Sequence, residues 1–226
     1  MLYFLHGLNG SAAEWTQFVE YFKEKGFECE AVELQEGMNL RKIRFQDYVD
    51  KVVMKVDSND IVIGHSMGGM IVQKAAELAT IKAGVCICPS PPFGIEMKSI
   101  SILSQIRYIP FFIARIPFLP SFSLAQNHFL NDIPLEEAQR RYAQLRKQSA
   151  LVTYEVLRAK IPVDEKKVDC PLFFIARNND HIISPRIVER IAKKYNAPIK
   201  YLDGNHYIFS DIKPIADMIY DDIKNL

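Results

Sequence analysis

The sequence predicts an α/β fold: a parallel sheet of about six strands, helices on both faces, and a helical insertion. Two observations predict the sheet and a third the insertion. Short apolar runs alternate with segments of helical periodicity, which demands crossover connections and so parallel strands covered on both sides. At 226 residues the chain is long enough to bury one sizeable core, as a single domain over 1–226. The stretch 91–165 breaks the alternation. Its helical periodicity, clustered prolines and lack of a convincing strand read as a cap over one end of the sheet, too long to be a loop.

The elements follow in order. LYFL at 2–5 reads as a buried strand, and 12–25 as an amphipathic helix stopped by Gly26, which suits a left-handed cap. A strand at 28–34, a helix at 42–56, the strand IVI at 61–63 and a helix at 67–80 come next. The strand at 83–88 places Cys86 and Cys88 on one face. Within the insertion, 135–147 and 150–160 read as charged amphipathic helices. Beyond it lie strands at 171–176 and 199–202, with helices at 185–196 and 213–225. No internal repeat or low-complexity tract is visible.

A composition of 49% hydrophobic and 24% charged residues, with formal net charge +1, gives no electrostatic reason to expect nucleic acid or an anionic membrane as partner. The apolar stretch 100–124 carries Arg107 and Arg115 and is broken by Pro110, Pro117 and Pro120, so it does not read as a membrane span. The opening MLYFLHG lacks a basic region and a cleavage site, which gives a cytoplasmic expectation. Four cysteines, none in C-x-x-C spacing, fit a reducing compartment and suggest neither a disulfide framework nor a metal site.

The chemistry-bearing motif is Gly64-His65-Ser66-Met67-Gly68, directly after IVI and opening a helix. A sharp strand-to-helix turn of this kind exposes a serine nucleophile, and glycines flank it because side chains there would collide with strand or helix. On composition alone the pattern arises by chance about 0.02 times in such a chain; its ordinary alternative is a glycine turn packing a helix on a sheet. A serine hydroxyl needs a base to take its proton, and the base needs an acid to orient it. His206, four residues past the last strand, is the candidate base, and Asp180, four past the strand before it, the candidate acid. Asp203 rivals Asp180, but three residues before His206 it would have to act within one cramped loop. His65 is expected to pack the turn, His6 to make a structural hydrogen bond, His128 to belong to the cap and His181 to point elsewhere. An oxyanion needs preorganised donors. The backbone N–H of Met67 is one candidate, and that of Leu8, in the loop His6-Gly7-Leu8-Asn9-Gly10-Ser11, the other; Ser11 also suits a helix N-cap.

With HGLNGSAAEW at 6–15 and GHSMGG at 64–69, the chain resembles the α/β-hydrolase superfamily, especially its esterases, monoacylglycerol lipases and small-acid-pathway hydrolases. The likeness continues to Asp180 and His206 and covers the chain except the cap, which varies in that family. Members usually begin with an antiparallel hairpin, whereas here HG arrives at 6–7, so the expected sheet leaves the strand at 28–34 on an edge where a second copy could pair; monomer and homodimer both stay open. The resemblance implies a serine hydrolase cleaving carboxylic esters of short to medium apolar acyl groups through an acyl-enzyme, with no cofactor. Thioester cleavage, carbon–carbon or lyase chemistry on small acids, and a non-catalytic scaffold are the alternatives. In the cap, Phe111, Phe112 and Phe118 are candidate substrate contacts, beside Tyr108 and Phe122; ordinary core and a patch for peripheral lipid contact are the competing readings.

Overall fold

The structure, a computed structural model, describes residues 1–97 and 106–226. Residues 100–105 of the apolar stretch at 100–124 therefore lie outside the described residues. The strands are β1 (Leu2–Leu5), β2 (Cys29–Val32), β3 (Ile61–His65), β4 (Ala83–Ile87), β5 (Leu172–Arg177) and β6 (Ile199–Leu202). They form one six-stranded sheet in the order β2-β1-β3-β4-β5-β6. Every neighbouring pair is parallel. Burial follows that order: all residues of β1, β3 and β4 are buried, whereas β2 and β6, at the two edges, are mostly half-buried. The strand expected at 28–34 is thus an edge strand.

The chain leaves β1 toward β2 on one side, then returns to place β3 on the other. That reversal opens a crevice at the carboxyl ends of β1 and β3, where open α/β sheets bind their ligands. Helices cover both faces. The first turn of the helix expected at 12–25 is a 3-10 turn, Ala12–Trp15, and α1 (Thr16–Glu24) continues it. Phe18 and Phe22 of α1 pack on Phe4 at ring separations of 6.4 and 5.8 Å, and Trp15 lies 5.1 Å from the same ring. Fully burying one such side chain contributes about 1.5–3 kcal/mol. Gly26, at φ 85°, ends the helix in the left-handed conformation expected of it. α1 packs against the last helix, α9 (Lys213–Ile223), where Tyr21 donates to Asp217 at 2.5 Å. On the opposite face α2 (Phe45–Val53) packs on α3 (Met67–Leu78). Tyr195, which follows α8 (Pro185–Lys194), donates to Gln73 of α3 at 3.1 Å.

The stretch 91–165 contains α4 (Ile109–Ala114), α5 (Phe122–His128), α6 (Leu135–Gln144) and α7 (Ala150–Leu157). α6 and α7 stop three residues short of the expected 135–147 and 150–160. The reason for α6 is tertiary: after it the backbone extends, Arg146 N–H donates to the Asn9 carbonyl at 2.8 Å, and Gln148 forms an antiparallel bridge with Phe118. After α7 the chain turns through Ala159 at φ 44°. Cys29, Cys86, Cys88 and Cys170 are all free thiols. Among the described residues no helix is long and apolar enough to cross a membrane.

Candidate active site

Ser66 stands where β3 turns into α3, with φ 55° and ψ −117°, a backbone conformation that side chains rarely adopt. The surroundings hold it there. Its N–H donates to Ile87 O at 3.0 Å, and its carbonyl accepts from Ser90 N–H at 2.9 Å. The flanking glycines are needed for space. A Cβ at Gly68 would enter the Leu5 carbonyl, and one at Gly69 would stand 2.7 Å from Pro89 Cβ. The elbow is therefore clamped between β1 and β4.

The loops after β5 and β6 bring the other two residues together. Asp180 Oδ2 lies 2.6 Å from His206 Nδ1. Its second oxygen, Oδ1, accepts from the N–H groups of Ile182 and Ile183, both at 2.8 Å. Both side chains are buried, so this carboxylate is held by backbone and imidazole alike. A carboxylate accepts, so Nδ1 carries a proton, and Nε2 is the nitrogen turned from the carboxylate. Ser66 and His206 line the same cavity; no hydrogen bond joins them among the described residues, and such bonds commonly tighten only with substrate in place. The rival Asp203 is exposed and accepts from Asn178 Nδ2 at 2.6 Å, turned away from the imidazole.

His65 does more than pack the turn. Its Nε2 lies 2.9 Å from the His206 carbonyl, and its ring packs tilted against that of His206, with centroids 4.7 Å apart. Burial, with the neighbouring His206, pushes its pKa well below the usual histidine range, so the ring is neutral and donates from Nε2. His6 is buried with Nδ1 against Gly7 O at 2.9 Å, the structural role expected of it. His181 is exposed; His128, half-buried, has its pKa lowered by burial and by His181, and neither lines the cavity.

The loop after β1 approaches closely: a Cβ at Gly7 would stand 3.1 Å from Ser66 Cβ. Neither Leu8 N–H nor Met67 N–H has an acceptor among the described residues, which leaves both donors free beside Ser66. Sequence reasoning missed what fixes this loop. Asn9 sits at φ 62°, and its side-chain amide donates to Arg146 O at 2.8 Å and Phe118 O at 3.3 Å, tying loop to insertion. Asparagine in a glycine turn signals tolerance of that φ, but not its partners. Asn131, at the end of the segment containing α5, likewise bridges the loops that carry Asp180 and His206: its amide donates to Asn179 O at 3.2 Å and its carbonyl accepts from Asn205.

The cavity, about 120 Å³, is roofed by the insertion. Phe112 and Phe118 line it as expected, with Tyr108 stacked 5.0 Å from Phe118. Phe111 does not line it. Adjacent residues on a helix point about 100° apart, and Phe111 packs behind Phe118 at 5.4 Å. Cys88, Asp180 and His206 bring three ligand-type atoms within 4.8 Å of one another. Burial raises the Cys88 thiol well above its ordinary pKa, helped by Asp180, so it remains a protonated neighbour of the carboxylate and a poor metal ligand.

Residues 2–218 match the model of the alpha/beta hydrolase family. The chain belongs to that family. No curated protein matches it in sequence. Among solved structures, this alpha/beta hydrolase family member is similar to an extracellular alpha/beta-hydrolase from a Paenibacillus species, at 18% identity and TM-score 0.79 over 97% of each chain. A methylesterase from Arabidopsis superposes with TM-score 0.76 at 16% identity, over 100% of this chain and 99% of that one. Tomato methylketone synthase I, solved with 2-tridecanone, gives 0.74 at 17% identity, over 99% and 97%. Likeness at such identity establishes the fold.

Proposed function

We propose that this family member is a serine hydrolase that cleaves carboxylic esters of short to medium apolar acyl groups through an acyl-enzyme. The observation that carries the reading is the strained Ser66 on the wall of a cavity shared with an imidazole whose far nitrogen is 2.6 Å from a buried carboxylate. In this mechanism His206 Nε2 takes the proton of Ser66 Oγ as the oxygen attacks the ester carbonyl. The oxyanion rests on the N–H groups of Leu8 and Met67. Collapse breaks the ester bond, and the alcohol leaves with the proton from His206. A water then gives its proton to His206 and attacks the acyl group, releasing the acid and returning the proton to Ser66. Asp180 keeps the ring in the required tautomer throughout. The apolar insertion wall, and the likeness to an enzyme solved with an alkyl ketone, support the choice of acyl group.

Incubation with a fluorophosphonate probe and p-nitrophenyl esters of rising chain length tests it. The expected result is a single adduct on Ser66, absent in Ser66→Ala, and turnover that peaks at short to medium chains. Folded protein that neither labels nor turns over any ester would return the chain to the scaffold reading. A second reading, peripheral lipid contact, has its own support: Ile109, Ile113 and Ile116 are exposed in and beside α4, near the exposed Arg107 and Arg115. Sedimentation with anionic vesicles, lost in Ile113→Glu, is its expected signature; no sedimentation disposes of it.

A further inference from the structure

The cavity is not apolar on every side. Besides the insertion's aromatic residues, Glu14, beside the loop after β1, lines it. Its Oε2 accepts from Ser11 N–H at 3.2 Å, the bond that caps the 3-10 turn. A Cβ placed at Gly10 would meet its carboxyl carbon at 3.2 Å, so the carboxyl lies directly under a loop whose Leu8 N–H is two residues away. Oε1 makes no hydrogen bond among the described residues. Glu14 is only half-buried, and with Oε2 taken by the loop, Oε1 stays open as a free acceptor on a residue that lines the cavity. Burial raises its pKa, against the lowering influence of His6 and Arg141.

We propose that Glu14 is a specificity-determining residue that accepts a hydrogen bond from a hydroxyl or ammonium group on the ester, placed a few bonds from its carbonyl. The preferred substrate is then amphiphilic: an apolar chain against Phe112 and Phe118, and a donor toward Glu14. This rests on the esterase reading. A site that offers an acceptor discriminates against an analogue lacking the donor, because the acceptor is then desolvated without a partner. A preference of about tenfold or more in kcat/KM is expected.

The test compares size-matched ester pairs on the intact protein: 2-hydroxyethyl against propyl octanoate, methyl 3-hydroxyoctanoate against methyl 3-methyloctanoate, and methyl 6-aminohexanoate against methyl heptanoate. The three pairs separate a donor on the alcohol, a donor on the acyl chain, and an ammonium group. Glu14→Gln is the decisive variant. Its amide oxygen retains the bond from Ser11 N–H, and its NH2 then faces the cavity, where it cannot accept a proton. The expected result is a wild-type preference for the donor ester in at least one pair, read as the ratio of kcat/KM values within the pair, that falls to near unity in Glu14→Gln. Turnover with no preference in any pair, or a preference that survives Glu14→Gln, overturns this proposal alone. No turnover of any ester by the wild type overturns the esterase reading and this inference with it.

Discussion

The carboxyl edge of the sheet and the insertion above it meet around one cavity, but opposite rules build them. The edge is rigid because each site residue follows a strand locked into register. Ser66 is clamped by Ile87 and Ser90, and Asp180 by two backbone N–H groups. The insertion is a set of short helices without a sheet to align them, held by side chains: Asn9 on Arg146 and Phe118, Arg44 on Glu155 at 2.6 Å, Tyr48 on Gln148 at 2.8 Å, and Arg141 on Tyr207 at 2.5 Å. A sheet edge can place reacting groups accurately, whereas a tethered roof can vary its lining without disturbing them. On the proposed reading the chemistry belongs to the edge and the choice of substrate largely to the roof.

The sharpest way to break that division is at the acid. Asp180→Asn should lower kcat on the order of 10⁴-fold, since an amide no longer enforces the tautomer of His206. Asp203→Asn should change it little, because Asp203 bonds Asn178. Steady-state kinetics on both variants decides between them, and equal losses would move the acid into the base loop. Next in size is Gly68→Ala. Its Cβ must displace the Leu5 carbonyl, at a cost of about 3 kcal/mol read by urea unfolding. An unchanged midpoint would mean that the elbow is not clamped as described. On the roof, Phe118→Ala should raise KM about tenfold for medium-chain esters while leaving kcat for an acetyl ester within a few-fold. A general loss of kcat would show that the roof shapes the chemistry too.

The smallest effect concerns the seam between the regions. The Glu33 carboxyl is held down to about 2, first by its contact with His6 and then by Ala12 N–H and Arg146, with burial opposing. A depressed carboxyl adds stability that is present above its ordinary value of 4.5 and is lost as pH falls toward 2. The Tm difference between wild type and Glu33→Gln should therefore be present at pH 6 and fade as the acid limb is descended. A difference that grew toward pH 2 would reverse the assignment.

Much of this was legible in the chain. The strand–turn–helix context around Ser66 is local, so five residues and their neighbours announce it. The positions of Asp180 and His206 followed from the rule that parallel strands deliver their loops to one edge. Phe111 shows where such reasoning stops. It and Phe112 are neighbours in an apolar run, and only the orientation of α4 decided that one faces the cavity and the other packs behind Phe118. The same limit applied at Leu145, where a helical pattern yielded to the extended pairing of Gln148 with Phe118.

By itself, then, the sequence determined the sheet, its order of construction and the elbow, because periodicity and turn chemistry act between residues close in the chain. The partners of His65, Asn9 and Asn131 were decided by tertiary structure alone. Each depends on a contact between segments brought together only when the strands are in register and the roof is seated, and no spacing along the chain encodes which carbonyl an amide will reach.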